Sequence, residues 1–408
     1  MNKTRLLRHL LIGALLPLPL QAATIPSFLI ADQGSDAVLI AVDLDGNGTM
    51  NAPGETRVFF DASNASGLRS DRGAVGGNIL TLAQGVDGTI YVGDNETDTV
   101  YRVMDTTGNG TANDAGEATI WFSAENAGGL PLQTPNGLST GPDGAVYVVQ
   151  ADVRSTPAGD YVYRTEDLNG DGDANDPGEA SVWLDLTALN PSSSPFEISF
   201  DGDTAYIVDT VGRDTNVIYA ARDNDGDGVV STSEVTRFID DENTLGVPVN
   251  FPMDTANGTV YLWDYLNRTA PQTVFSLTDL NGSGTIDAPD EARELWNTAF
   301  LDPAFASFAG FSIAAAANGD LLVLSNGTDP NQDFVIYLTD TDGDGAYFSA
   351  GESQVVLSRL DSGLFPERPR VALFYNGPIP AQVPLPAGAV LLLGGLGVLG
   401  TLRRRSRG

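Results

Sequence analysis

The stretch Asp223-Asn-Asp-Gly-Asp-Gly-Val-Val-Ser-Thr-Ser-Glu234 sets acids at its first, third and fifth places and closes on a fourth. Asp223, Asp225 and Asp227 alternate with Gly226 and Gly228, and Glu234 stands at place twelve. Oxygen-bearing side chains two residues apart in a tight turn converge on one point. Glycine at place six lets the chain bend without a Cβ in the way. Versions of the stretch begin at Asp43, Asp105, Asp167, Asp279 and Asp340, so six copies recur every 56 to 62 residues. A period of that length sustained over the chain marks a repeat architecture.

Around each acidic stretch the same elements return. An apolar segment leads to Asp87-Gly88, Asp143-Gly144, Asp201-Gly202, Asn257-Gly258 or Asn318-Gly319, dipeptides suited to two-residue hairpins. A strand follows each, as in Thr89-Ile-Tyr-Val92, Ala145-Val-Tyr-Val148 and Thr259-Val-Tyr-Leu262. Four residues before each first Asp stands Leu39, Tyr101, Tyr163, Tyr219, Phe275 or Ile336. Four residues after each closing Glu stands Phe59, Trp121, Trp183, Phe238, Leu295 or Val356. These registers place equivalent side chains in equivalent core slots.

Each unit therefore reads as four short antiparallel strands, A to D, with no helical period. Six units of about 60 residues predict an all-β, six-bladed β-propeller over residues 24–376. Phe28-Leu-Ile-Ala31 matches strand B, so the first blade lacks its innermost strand, and Arg370-Val-Ala-Leu-Phe-Tyr375 is placed to supply it. Closing the ring in this way removes exposed edges.

The acidic stretch has the ligand pattern of an EF-hand calcium loop. A true EF-hand needs flanking helices, whereas Thr99-Val-Tyr-Arg-Val-Met104 alternates as a strand does. The stretch resembles instead the calcium-binding hairpin loops of integrin α-chain propellers. That resemblance implies about four to six structural Ca2+ ions in the C–D loops. Loop 4 (Asp223, Asp225, Asp227, Glu234) is the strongest candidate. Loop 6 offers Asp340, Asp342, Asp344, Ser349 and Glu352; loop 1, Asp43, Asp45, Asn47, Asn51 and Glu55; loop 3, Asp167, Asn169, Asp171, Asn175 and Glu179. Loop 5 is poorer in charge, with Asp279, Asn281, Ser283, Asp287 and Glu291. Loop 2 has Thr107 at place three beside Asp105, Asn109, Asn113 and Glu117 and is the weakest. Outside loop 4 the Glu falls at place thirteen, which leaves open whether it or the ninth residue completes each site. Plain hairpin turns also use Gly and Asn, but they do not require acids at places one, three and five.

The ends carry different signals. Residues 1–22 set Lys3, Arg5 and Arg8 before an apolar run and Gln-Ala-Ala, as a secretory signal peptide does. Residues 377–408 contain Val383-Pro-Leu-Pro-Ala387, an apolar Gly-rich run and Arg403-Arg-Arg-Ser-Arg407. The run just suffices to cross a bilayer with the arginines cytoplasmic. The three parts in this order resemble the VPLPA-type PEP-CTERM sorting signals of Gram-negative bacteria. The resemblance implies Sec export, an inner-membrane intermediate, an exosortase-type sorting enzyme as partner, and delivery to the cell surface or outside it.

Seven of the 21 basic residues lie in these ends, leaving 14 against 54 acidic residues between them. That balance argues against nucleic acid or anionic lipid as partners and for cations. The chain has no Cys; its one His is His9 and its one Lys is Lys3, both in the signal. The part after residue 22 thus excludes Ser-His-Asp and Cys-His nucleophiles, imidazole metal sites and Schiff-base chemistry.

Asp32, Asp94, Asp152, Asp209, Asp264 and Asn326 end the B strands. Converging on the axis they would form an acidic ring, as in the gluconolactonase-like lactonases that the repeat resembles at the level of fold; each is equally the ordinary start of a B–C turn. The longer connections 62–78 and 150–161 are candidate binding surfaces on that face. The reading is an exported, calcium-stabilised propeller acting as a binding or scaffolding module, with calcium able to bridge it to anionic extracellular polysaccharide. The alternative is a metal-dependent hydrolase (lactonase, esterase or phytase-like) using axial carboxylates.

Overall fold

The computed structural model describes residues 25–68, 79–151, 159–211, 215–249, 251–264, 271–301, 310–326, 333–359 and 369–377. The signal and all but the first residue of the sorting tail lie outside them. Among the described residues, twenty-four strands form six antiparallel sheets of four, each ordered as the chain runs except the first. There Phe28–Asp32 pairs with Ala37–Ala41 on one edge and with the C-terminal Pro369–Phe374 on the other. Its register sets Phe28 against Phe374 and Ile30 against Ala372. The ring closes as the register of the first blade requires. Among the described residues, no helix is long and apolar enough to cross a membrane.

The inner strands are Pro369–Phe374, Ile79–Gln84, Pro135–Thr140, Pro195–Asp201, Met253–Ala256 and Gly310–Ala315. Side chains on alternate blades tie them together. Thr81 Oγ1 accepts the Leu138 N–H at 3.2 Å, Glu197 Oε2 the Met253 N–H at 2.8 Å, and Ser312 Oγ the Ala372 N–H at 3.2 Å. Gly137 holds the same place on the blade after Thr81. A Cβ there would stand 2.9 Å from the Glu197 Cα, so only glycine admits the neighbouring backbone this closely.

The outer half of each blade carries one further device. The C–D pairing shifts register at Leu39, Tyr101, Tyr163, Tyr219, Phe275 and Ile336. The residue squeezed out of the ladder is Phe59, Trp121, Trp183, Phe238, Leu295 or Val356, each at most 5% exposed. A bulge leaves its backbone carbonyl without a partner inside the sheet. The partner comes from the acidic loop of the next blade.

Candidate functional site

All six acidic stretches fold alike. The glycines at places four and six take positive φ throughout, from Gly46 (72°) and Gly48 (82°) to Gly343 and Gly345 (78° each). Between them the loop curls around the first Asp. Asp43 accepts the N–H groups of Gly46, Asn47 and Gly48 at 2.8–3.2 Å. Asp105, Asp167 and Asp279 accept the same three. Asp223 and Asp340 accept those of both glycines.

The closing Glu faces inward too. Glu55 Oε1 accepts the N–H groups of Leu44 and Asp45, and its Oε2 that of Ala52, three residues before it. Glu117, Glu179, Glu234, Glu291 and Glu352 repeat the bond to the third residue before. The shift from place twelve to thirteen is therefore absorbed ahead of the Glu and leaves its role unchanged. Burial would raise the Glu117 pKa, but N–H groups from Asp114 and Thr107 hold it below the usual value. The N–H groups of Ser231, Asp287 and Gly345 do the same for Glu234, Glu291 and Asp340.

Four loops gather three carboxylates with ligand atoms within 4.8 Å of one another. These are Asp43, Asp45 and Glu55; Asp171, Asp173 and Glu179; Asp223, Asp225 and Glu234; and Asp340, Asp342 and Asp344. Asp173 is not in the sequence-based set; it stands at place seven, where the pattern asks only for a backbone carbonyl. In loop 3 it joins the cluster while Asp167 is tied to N–H groups. Asp227 accepts the Val229 N–H beside its cluster. Loops 2 and 5 form no such group among the described residues. Their acids meet amides instead: Asn109 Nδ2 donates to Asp114 at 2.7 Å and Asn281 Nδ2 to Asp287 at 2.9 Å. In loop 5 Ser283 Oγ lies 3.0 Å from the Thr285 hydroxyl. Loop 1 turns Asn47 Nδ2 to Asp45, and loop 3 turns Asn169 Nδ2 to Asp176.

Asp287, the ninth residue of loop 5, stays within its loop, but three other ninth residues reach a neighbouring blade. Asn51, Asn113 and Asn175 accept the N–H groups of Ser358, Asp61 and Ser123, all on the preceding blade. They serve the joint between blades. Ser349 is the tenth residue of loop 6, the ninth being Phe348, and its hydroxyl donates to Asp342.

The eighth residue makes that joint in every copy. The N–H groups of Met50, Ala112, Ala174, Val230, Ile286 and Tyr347 donate to the carbonyls of Val356, Phe59, Trp121, Trp183, Phe238 and Leu295 at 2.6–2.8 Å. The six acceptors are the bulged residues, and the six donors are at most 5% exposed. Each acidic loop thus latches its blade to the one before, around the whole ring.

The described B-strand ends are not among the residues that line the axial cavity. Asp32 accepts the N–H groups of Gly34 and Ser35, and Asp94 that of Glu96, as turn-starting acids do. Asp209 accepts the Ser194 N–H on the segment entering its own inner strand. Asp264 is 5% exposed, and its N–H donates to the Thr273 carbonyl. Register puts Gln150 and Ser325 at the equivalent places in blades 3 and 6. Asp152 lies outside the described residues. Asn326, one residue past Ser325, donates to the Pro369 carbonyl on the closing strand. Burial raises the pKa of Asp94 to about 7 and that of Asp209 above the usual range.

Among the described residues, the carboxylates that line the axial cavity are Glu197 and Asp254, on neighbouring inner strands. Their signal was an acid inside short inner segments, Pro195-Phe-Glu-Ile-Ser-Phe-Asp201 and Met253-Asp-Thr-Ala256. Burial, reinforced by Asp254, pushes Glu197 up to about 8 against the lowering effect of the Met253 N–H. Burial likewise raises Asp254, despite hydrogen bonds from Ala315, Ser199 and Thr255. A carboxyl with a raised folded pKa contributes stability that is complete below the unfolded value and is lost as pH rises through the folded one. For Glu197 that window runs from about 4.5 to about 8. Glu197→Gln keeps an acceptor for Met253 and stays neutral. With calcium chelated, the variant is expected to melt several degrees above wild type at pH 8 and level with it at pH 4.5, since each pKa unit is worth about 1.4 kcal/mol. An equal difference at both pH values in thermal melts would refute the assignment.

No protein-family model and no curated protein matches the chain. Among solved structures, it is similar to a chain of a nidogen–laminin complex, with TM-score 0.51 and 15% identity over 85% of this chain and 97% of that one. TolB from Acinetobacter baumannii gives 0.49 and 14%, over 86% and 66%. A gluconolactonase from Xanthomonas campestris gives 0.45 and 17%, over 73% and 79%. At 15% identity the first of these likenesses supports the fold and nothing finer.

Proposed function

We propose that this is an exported, calcium-stabilised propeller that serves as a binding or scaffolding module at the cell surface or in the extracellular matrix. The observation that carries the calcium part is the clustering of three carboxylates in each of four loops. Their donors are oxygens alone, the chemistry suited to a hard cation. Asp43, Asp45 and Glu55 would hold the ion in loop 1, and the matching triads those in loops 3, 4 and 6. A bound ion neutralises side chains that otherwise repel one another. It also stiffens a loop whose eighth residue joins two blades, so its effect falls on the ring as a whole.

The export and sorting part rests on the charged and apolar order of residues 1–22 and 377–408. An exosortase-type enzyme is the partner that this tail calls for. Calcium shared between the acidic face and an anionic polysaccharide would hold the module at the surface. Washing producing cells with a calcium chelator is expected to release most of the protein into the supernatant, and restoring calcium to rebind it. Full retention in chelator, read by immunoblot, would rule out the calcium bridge.

A further inference from the structure

The axial tunnel is not uniform along its length. At the B–C end Phe196 and Phe311, each bulged out of its inner strand, and Phe251, just before Met253–Ala256, form a layer in which Phe196 stacks on Phe251 at 4.8 Å and Phe251 meets Phe311 at 5.9 Å. The Arg370 guanidinium lies 4.4 Å over the Phe311 ring and bonds Gln33. None of these four residues lines the cavity below, which occupies about 560 Å³. That cavity reaches the A–B turns of blades 2 and 6 at Val86 and Ala317. It therefore opens on the face that carries the six acidic loops, opposite the face that fold analogy favours.

Its chemistry is one-sided. Among the described residues of its lining, Glu197 and Asp254 are the charged ones and none is Arg. The rest is mainly apolar, including Leu138, Ile198, Met253 and Ile313. Asp254 is already engaged: Oδ1 accepts from Ser199 and Thr255, and Oδ2 from Ala315. Glu197 Oε2 accepts the Met253 N–H, and among the described residues no hydrogen bond uses its other oxygen. One remaining carboxylate oxygen is far from the six to eight oxygen ligands that calcium takes. A single ammonium group, by contrast, is satisfied by one carboxylate and a few further oxygens, and Ser139 lines the same cavity. Acids around the mouth would focus the field and concentrate cations there.

We propose that the axial cavity binds a small organic cation, an alkylammonium whose charged head pairs with Glu197 and whose chain lies along the apolar wall. Binding converts the Glu197 carboxyl to carboxylate, so it releases a proton where that group is protonated in the unbound protein. The probe is hexylamine, titrated calorimetrically into the full-length protein in saturating calcium, with hexanol as the uncharged control. We expect one site per chain, at least tenfold weaker binding of hexanol, and proton release at pH 7 that disappears at pH 9. Glu197→Gln is expected to weaken hexylamine at least tenfold. Ala316→Phe, which narrows the mouth and leaves both carboxyls in place, is expected to weaken hexylamine and hexanol alike. Unchanged affinity in both variants overturns the proposal. So do many weak sites abolished by 0.5 M salt, or a calcium site lost with Glu197→Gln, which would make the cavity a metal site.

Discussion

Chelation is expected to lower the melting temperature of the folded protein by about 15 °C relative to millimolar calcium. At a hundredfold excess over Kd each site that binds only the folded state adds about 2.7 kcal/mol. Four triads would then contribute roughly 11 kcal/mol. A propeller of about 350 residues has an unfolding entropy near 0.7 kcal/mol per degree, so the shift follows by division. Charge-only substitutions separate this from general screening. Asp45→Asn, Asp225→Asn and Asp342→Asn each keep an acceptor in the loop but remove one carboxylate from a triad. Each should abolish one calorimetric site and about a quarter of the calcium-dependent shift. Asp105→Asn should behave otherwise, because loop 2 gathers no triad and Asp105 serves the N–H groups of Gly108, Asn109 and Gly110. It should lower the melt equally with and without calcium. Identical melts in calcium, chelator and sodium chloride of matched ionic strength would leave the loops as turns only.

The contrast between those loops shows what the sequence could convey. The repeat period, the strand pattern and the missing first strand were legible because they depend on local spacing, which chain order preserves. The residues four before each Asp and four after each Glu were recognised as equivalent, but not what they do together. Tyr101 and Trp121 mark the two sides of one bulge, and the bulge exposes a carbonyl that Ala174 of the next blade then bonds. Nothing local to loop 3 says that its eighth residue faces another blade. The same limit left Asn51, Asn113 and Asn175 open in the sequence, because an amide oxygen suits a metal as well as a neighbouring N–H. Residues on the axis were hardest to assign. An Asp at the end of a B strand and a Glu inside an A strand differ by one layer of sheet, and only the closed ring decides which one sees the tunnel.

Latches also alter what a loop substitution means. Removing the eighth-residue bond strands a buried carbonyl, a cost of about 1–3 kcal/mol. Because each latch joins two blades, a change in one acidic loop should loosen the blade before it as well as its own. Hydrogen exchange would read this at the eighth-residue amides, all of them buried.

A chain ending at residue 368 is expected to lose cooperative unfolding, whereas one ending at residue 377 keeps it. The two differ by Pro369–Phe374 and three further residues, yet this segment is the inner strand of the first blade. Without it Phe28–Asp32, buried along its whole length, becomes an exposed apolar edge. Phe374 and Tyr375 are buried too. Burying one such side chain is worth about 1.5–3 kcal/mol, and the strand's backbone bonds to the first blade are lost along with Ser312's bond to Ala372. The sum approaches the roughly 5–15 kcal/mol that holds a typical domain together. One closure would remain, because loop 1 still grips the sixth blade through Met50 to Val356, Asn51 to Ser358 and Gln354 to Gly48. This outer latch should hold blades 1 and 6 close enough for the gap between them to be refilled. A synthetic peptide of residues 369–377 should then restore a single melt when added to the shortened chain, and the added Gln354→Ala substitution should weaken that rescue. If the shortened chain melts as sharply as the longer one, the C-terminal strand is not what closes the ring. If it unfolds and the peptide fails at millimolar concentration, the outer latch alone does not keep the gap in register.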